Sequence, residues 1–374
     1  MASNSFGNLF RITTWGESHG KAIGVVIDGC PAGLTLTEDD INQALAKRAP
    51  GRSVVTSPRR ENDEAEIYSG VFEGKTTGAP IAIVIMNRDA DSSKYEPIKH
   101  LLRPGHANYT YLQKYGCFDY RGGGRASARE TACRVAAGAV AQVLLTHLNI
   151  SVLAYIKQIG KLRANVSSDS HEKLLLALEN SALFCPDQPA ERLMIDSLLS
   201  AKQAGDSLGG IVEFRADNLP IGLGDPIYEK LEANLAKAML SIPASKGFEI
   251  GEGFVAAEMV GSMHNDEFMM NSSNTLDKTA ETITQVTTAS NHAGGTLGGI
   301  SSGMPLIGRV AFKPTSSINK SQRTLDLAGQ AHDFTLPAGS RHDPCVAIRA
   351  VPVVQAMCAL VLADAVLMNR GAKL

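Results

Sequence analysis

The sequence is short of aromatic residues, of net charge and of paired cysteines, and each shortage removes a class of explanation. Aromatics make up 5% of the 374 residues, with one tryptophan, so large rings cannot dominate the core. The formal net charge is −2, which leaves no basic excess to hold a polyanion and argues against a nucleic-acid partner. The six cysteines (Cys30, Cys117, Cys133, Cys185, Cys345 and Cys358) form no C-x-x-C pair. A chain this long buries enough surface to fold without staples, so they read as reduced thiols of a cytoplasmic protein. Residues 1–10 lack a basic start followed by an apolar run, and no signal peptide is expected. The most apolar stretch, Val351–Met368, contains Gln355 and Asp364 and fits a buried helix better than a membrane span. A hydrophobic content of 44% against 20% charged residues excludes disorder. Glycine is abundant, at 35 residues, and suits tight turns and close backbone approaches.

The pattern along the chain mixes strands and helices. Residues 10–14 and 23–27 are β-rich, separated by Gly16-Glu17-Ser18-His19-Gly20. Thr37-Glu38-Asp39-Asp40 opens a helix with early acids and a capping box, ending near Pro50. Apolar β runs follow near 67–72 and 81–86. Ser127-Ala128-Arg129-Glu130 reads as the capping box of a long helix. Its apolar stripe is Ala132, Val135, Ala136, Ala139, Val140, Val143 and Leu144, small residues suited to close packing. Further helices are expected at 190–204, 226–240 and 352–369, with strands near 210–214 and 310–312. No repeat or low-complexity linker divides the chain, so residues 1–374 read as one mixed α and β domain.

Several short motifs carry chemistry. Gly16-Glu17-Ser18-His19-Gly20 matches G-x-S-x-G, but a nucleophile elbow needs a helix after the serine, and here a strand follows. His19 among small residues remains a candidate for proton transfer. Gly70–Thr76 is one residue short of a phosphate loop and reads as a turn between strands. Residues 103–134 hold six lysines and arginines against two acids, with Gly122-Gly123-Gly124 among them. Glycines beside a helix start, flanked by Arg125 and Arg129, suit an anion, and arginines suit carboxylates and phosphates gripped at two points. Ser127 serves equally as cap or ligand. Arg103-Pro104-Gly105-His106, Lys313-Pro314-Thr315-Ser316-Ser317 and Arg341-His342-Asp343-Pro344 add a histidine turn, a hydroxyl-rich loop and a run of ionisable groups. The histidines are dispersed without metal-ligand spacing, and no metal is expected. These residues alone describe an enzyme acting on an anionic small molecule, with His19, His106 and Asp343 as candidates to move protons.

Taken in order, the motifs resemble those of the chorismate synthase family. The resemblance rests on Gly16–Gly20, Gly123–Thr131 and Arg341–Cys345, with support from Arg103–Ala107, Ser241–Gly247, Ser290–Gly295 and Lys313–Ser317. It implies an α+β fold in which central helices lie between two sheets, a β-α-β sandwich, assembled as a homotetramer. It implies conversion of 5-enolpyruvylshikimate 3-phosphate to chorismate and phosphate by 1,4-anti elimination, with reduced FMN as cofactor and no net redox change. No membrane partner is implied. By the same resemblance His106 assists the departing phosphate, His19 acts on the reduced flavin, and Asp343 relays the ring proton. Arg48, Arg103, Arg129 and Arg341 take substrate anions. Flavin contacts fall on Arg125, Ala126, Ser127, Pro243, Ala244, Gly298, Lys313, Pro314, Thr315, Ser316, Ser317 and Arg341. Whether NADPH reduces the flavin on this chain stays open. The sequence departs from the family pattern at Gln355, where glutamate is usual, at Asn108, where aspartate is common, and at Val54, often basic.

Overall fold

In the computed structural model, residues 3–49, 63–88, 92–166, 170–270, 286–337 and 343–373 are described. The alternation at 22–28 and 81–86 sets the first layer. Strands β1 (Ser5–Phe6), β2 (Arg11–Gly16) and β3 (Ala22–Asp28) lead to helix α1 (Glu38–Arg48), then β4 (Ala65–Ile67) and β5 (Ile81–Met86). They form an antiparallel sheet in the order β1-β2-β3-β5-β4. Ile23 pairs with Ile85, Val25 with Ile83 and Ile27 with Ile81, and all six are fully buried. One face of this sheet is therefore a continuous β-branched surface.

The second layer is helical. Thr37 caps α1 and Asp40 answers it, the capping box expected from the sequence. Helix α2 (Thr131–His147) buries Ala132, Val135, Ala136, Ala139, Val140 and Leu144, with Val143 half-buried. It packs on β3 and β5 and on α1. The second sheet uses β6 (Ser151–Ile159), β7 (Leu162–Arg163), β8 (Gly210–Asp217), then helix α3 (Leu231–Leu240), β9 (Ser245–Ile250) and β10 (Leu306–Phe312). Its order is β9-β10-β8-β6-β7, again antiparallel. Helix α4 (Ala347–Asn369) lies on β6 and β8 and crosses α2. At that crossing a Cβ on Gly138 would sit 2.3 Å from the Ala356 Cβ, so only glycine permits the approach. The stack is sheet, helices, sheet, the expected α+β sandwich, and one cluster of buried side chains runs through it from Phe10 to Val366.

Helix α4 is long and apolar enough to cross a membrane by length and composition, but its surface is spent against β6, β8, α2 and α3. Asp364 on α4 accepts the backbone N–H groups of Asn8, Leu9 and Phe10 at 2.7–2.9 Å and so fixes the loop before β2. All six cysteines are free thiols, five of them buried, and burial pushes Cys133 up to about 12.

Four expectations need correction. The box at Ser127 does not open the long helix. Ser127 caps one 3-10 turn by accepting from Arg129 N–H, and Glu130 turns to Arg134 at 2.8 Å, because the Ser127 N–H already binds the Gly124 carbonyl. The apolar run at 67–72 is broken by Gly70 at φ +84°, leaving β4 and a small hairpin of Val71–Phe72 with Lys75–Thr76. The helix expected from 226 starts at Leu231, since Ile227 takes φ +72° and Asp225 N–H bonds to the Glu229 carbonyl. Helix α4 begins five residues before Pro352, which sits inside it.

Candidate functional site

The site is organised by three glycines with positive φ. Gly122, Gly123 and Gly124 take φ values of +66°, +97° and +54°, a path that L side chains rarely follow. A Cβ on Gly122 would lie 2.5 Å from His19 Cδ2 and Nε2. A Cβ on Gly123 would lie 2.6 Å from His106 Cε1 and 2.9 Å from its Nε2. Two imidazoles from segments 87 positions apart thus lie against adjacent residues of one loop. The strand after Ser18 removes the nucleophile-elbow geometry, and the Ser18 hydroxyl points to the Arg121 carbonyl at 3.5 Å. His19 Nδ1 lies 3.0 Å from Ser92 Oγ, and Tyr95 meets the ring edge-on at 5.3 Å.

The His106 side rests on a turn. His106 N–H bonds to the Arg103 carbonyl at 3.1 Å, and Gly105 takes φ +68° behind Pro104, the proline–glycine turn that the sequence suggests. Lys313 Nζ donates to the Gly105 carbonyl at 2.8 Å, and Arg103 donates to Ser317 Oγ at 3.2 Å. These bonds seat the 313–317 loop on the turn. Arg103 also stands 5.8 Å from the Tyr95 ring, and burial pulls its pKa below the ordinary arginine value. Asn108 is buried beneath, accepting from Arg103 N–H at 3.3 Å and donating to the Leu101 carbonyl at 3.1 Å. An ionised aspartate cannot donate, so the amide at 108 has a local reason.

Arg103, His106, Asn108, Asp119, Gly123 and Arg125 line one cavity of ≈ 240 Å³. Burial tends to raise the Asp119 carboxyl, but hydrogen bonds from the Arg121 side chain and N–H outweigh it and hold the group below its ordinary range. Arg125 is differently employed. Its guanidinium donates to the carbonyls of Gly16 and Thr14, to Thr14 Oγ1 and to Asn4 Oδ1, so the side chain ties β2 to the glycine loop.

A second group gathers on the buried pair Arg48 and Asp63. Arg48 donates to Asp63 Oδ2 at 2.9 Å, to Thr131 Oγ1 at 3.0 Å and to the Ala128 carbonyl at 3.3 Å. Arg129 pairs with the other Asp63 oxygen and donates to Asn87 Oδ1 at 2.8 Å and the Met86 carbonyl at 3.3 Å. Asp343 accepts from Arg349 at 3.0 Å, and Arg349 also donates to the Arg48 carbonyl at 3.3 Å. Arg48, Pro243, Asp343 and Arg349 line a small cavity of ≈ 40 Å³. Sequence reasoning missed Asp63 and Arg349; the only signal for Asp63 is its place among Glu61, Glu64 and Glu66, an acidic run directly after Lys47, Arg48, Arg52, Arg59 and Arg60.

The flavin residues expected from the sequence fall partly together. Ala244 takes φ +69°, and its carbonyl accepts from Lys313 N–H at 3.0 Å, which brings 243–244 to the 313–317 loop. Thr315 Oγ1 is buried with no hydrogen-bond partner among the described residues. A Cβ added at Gly298 would meet nothing within 4 Å. Ala126 and Ser127 follow the glycine loop directly. Arg341, His342 and Val54 lie outside the described residues. Gln355 donates to the Val152 carbonyl of β6 at 3.0 Å.

The chorismate synthase family model matches residues 10–367. The chain belongs to the chorismate synthase family. It is 60% identical to the chorismate synthase of Protochlamydia amoebophila, with both chains covered in full, and 50% identical to that of Methanosarcina mazei over 97% of this chain and 96% of the other. A crystal structure of chorismate synthase superposes with a TM-score of 0.76 at 34% identity, covering 98% of this chain and 93% of the other. Membership of the chorismate synthase family makes this chain an enzyme of the shikimate pathway.

Proposed function

We propose that this chain converts 5-enolpyruvylshikimate 3-phosphate to chorismate and phosphate by 1,4-anti elimination, with reduced FMN bound beside the substrate. The observation that carries the reading is the pair of imidazoles against Gly122 and Gly123, next to Arg103 and Lys313. The substrate bears a phosphate and two carboxylates, and arginines match such groups in charge and shape. His106, beside Arg103, holds or supplies a proton at the departing phosphate. Asp343, gripped by Arg349, takes the proton that leaves the ring. His19, oriented by Ser92 and Tyr95, holds the local proton balance beside Gly122. Arg48, Arg103 and Arg129, with Arg341, bind the anions.

The residues present fit a flavin phosphate and ring. The unsatisfied Thr315 hydroxyl is a ready donor or acceptor, Gly298 leaves space where a side chain would stand, and Arg125–Ser127, Pro243–Ala244 and Lys313–Ser317 supply backbone and hydroxyl groups. When bound, reduced FMN supplies a reversible electron, which suits loss of a hydrogen that is not acidic. The protein's own work is orientation, charge and exclusion of water. We read the chain as one domain of a cytoplasmic homotetramer. Exposed Phe254, Val255, Val260, Met263, Phe268 and Met270 form an apolar segment that copies of the chain can cover.

The test is phosphate release from 5-enolpyruvylshikimate 3-phosphate under anaerobic conditions, with reduced FMN, oxidised FMN and no flavin in parallel. Release with reduced FMN alone is expected. Release without flavin would point to a phosphatase and remove the reading.

A further inference from the structure

The two arginines read above as anion ligands are not independent. Each places a guanidinium nitrogen on a different oxygen of Asp63, whose side chain is 1% exposed. Their other nitrogens are anchored on separate elements: Arg48 on the start of α2 through Thr131 and the Ala128 carbonyl, Arg129 on the end of β5 through Asn87 and the Met86 carbonyl. Two buried guanidiniums share one carboxylate, so the trio carries one net positive charge. Without Asp63 each arginine keeps these neutral partners, but the carboxylate between the two like charges is gone. The carboxylate therefore sets their separation rather than merely holding either in place.

We propose that Asp63 is a positioning residue for anion binding: it fixes Arg48 and Arg129 as one rigid cationic unit that receives a carboxylate or phosphate of the substrate. The assignment rests on the reading that this chain binds 5-enolpyruvylshikimate 3-phosphate. Preset guanidiniums spare the anion the cost of ordering them on binding. The effect belongs to binding in the ground and transition states alike, so it reads out in KM rather than kcat.

The experiment compares the full-length enzyme with D63N and D63E, loaded with reduced FMN, measuring kcat and KM for 5-enolpyruvylshikimate 3-phosphate and the melting temperature of each. D63N is expected to raise KM about ten- to a hundredfold, the scale of a lost charged hydrogen bond, with kcat within a few-fold of the parent. D63E keeps the charge but moves it by one methylene in a closed space, and its KM is expected to rise by a smaller factor. A folded D63N with the parental KM overturns the proposal, even if its melting temperature falls, and leaves Asp63 as a structural ion-pair member. If D63N fails to fold, D63E decides: a raised KM supports the assignment and a parental KM overturns it. A parent enzyme that releases no phosphate would instead remove the underlying functional reading, so the two failures are told apart.

Discussion

The glycine loop and the buried arginine bed hold chemistry in opposite ways. His19 and His106 are placed by contact: backbone without side chains comes up against two rings, with Ser92, Tyr95 and a single turn as supports. Arg48 and Arg129 are placed by charge: both are tied to Asp63 and to backbone carbonyls and neighbouring side chains. The first arrangement sets the His106 ring beside a cavity, which suits proton transfer. The second immobilises cations in a low-dielectric wall, which suits recognition of anions. Damage to the first should therefore reduce turnover, and damage to the second should reduce binding.

The largest effects are expected from the groups that move protons. His106→Ala should lower phosphate release by about a hundredfold or more with little change in melting temperature. Asp343→Asn should still bind FMN and turn over slowly by a similar factor, read by flavin titration beside single-turnover phosphate release. Normal turnover in Asp343→Asn would remove its assignment. A smaller effect is expected from saturating FMN, which should stabilise the folded chain by about 2.7 kcal/mol at a hundred times its Kd. A melting temperature indifferent to FMN would count against the cofactor.

Thr315→Val gives a finer test, because its two outcomes have opposite signs. Removing a buried hydroxyl that has no partner among the described residues should leave the flavin-free protein as stable or more so. If that hydroxyl serves the cofactor, FMN affinity should fall several-fold, since a hydrogen bond contributes about 0.5–1.5 kcal/mol. Unchanged affinity would return Thr315 to a packing role. The smallest effect is expected at Gln355→Glu, which removes one of two side-chain donors to the Val152 carbonyl and leaves that of Gln142. Stability should fall by about 1 kcal/mol in chemical denaturation, with kcat and KM unaltered.

Much of the fold was legible because its signals are local. The Ile23/Val25/Ile27 alternation, the Thr37 capping box and the small-residue stripe of α2 each report the face they bury. The proline–glycine turn at 103–106 and the hairpin at Gly70–Thr76 were legible for the same reason. What stayed hidden depends on distant partners. Glu130 was written as a cap but is drawn to Arg134, and Asp63 has meaning only once Arg48 and Arg129 meet around it. The motifs named His19, His106 and the triple glycine, but no spacing in the chain says that the glycines touch the rings. Arg125 adds a second case: an arginine beside glycines suits an anion, and nothing in the chain's order says that its side chain also ties to the carbonyls of Thr14 and Gly16.

The account stands most directly on the claim that the glycine loop sets the two imidazoles in place. Gly123→Ala tests it, because the new methyl would fall 2.6 Å from His106 at a backbone φ of +97° while displacing a ring rather than the core. Anaerobic phosphate release with reduced FMN should fall by about a hundredfold or more in an enzyme that stays folded, although the strained φ lowers its melting temperature, with substrate affinity close to the parent. A folded Gly123→Ala enzyme that turns over like the parent would contradict the account.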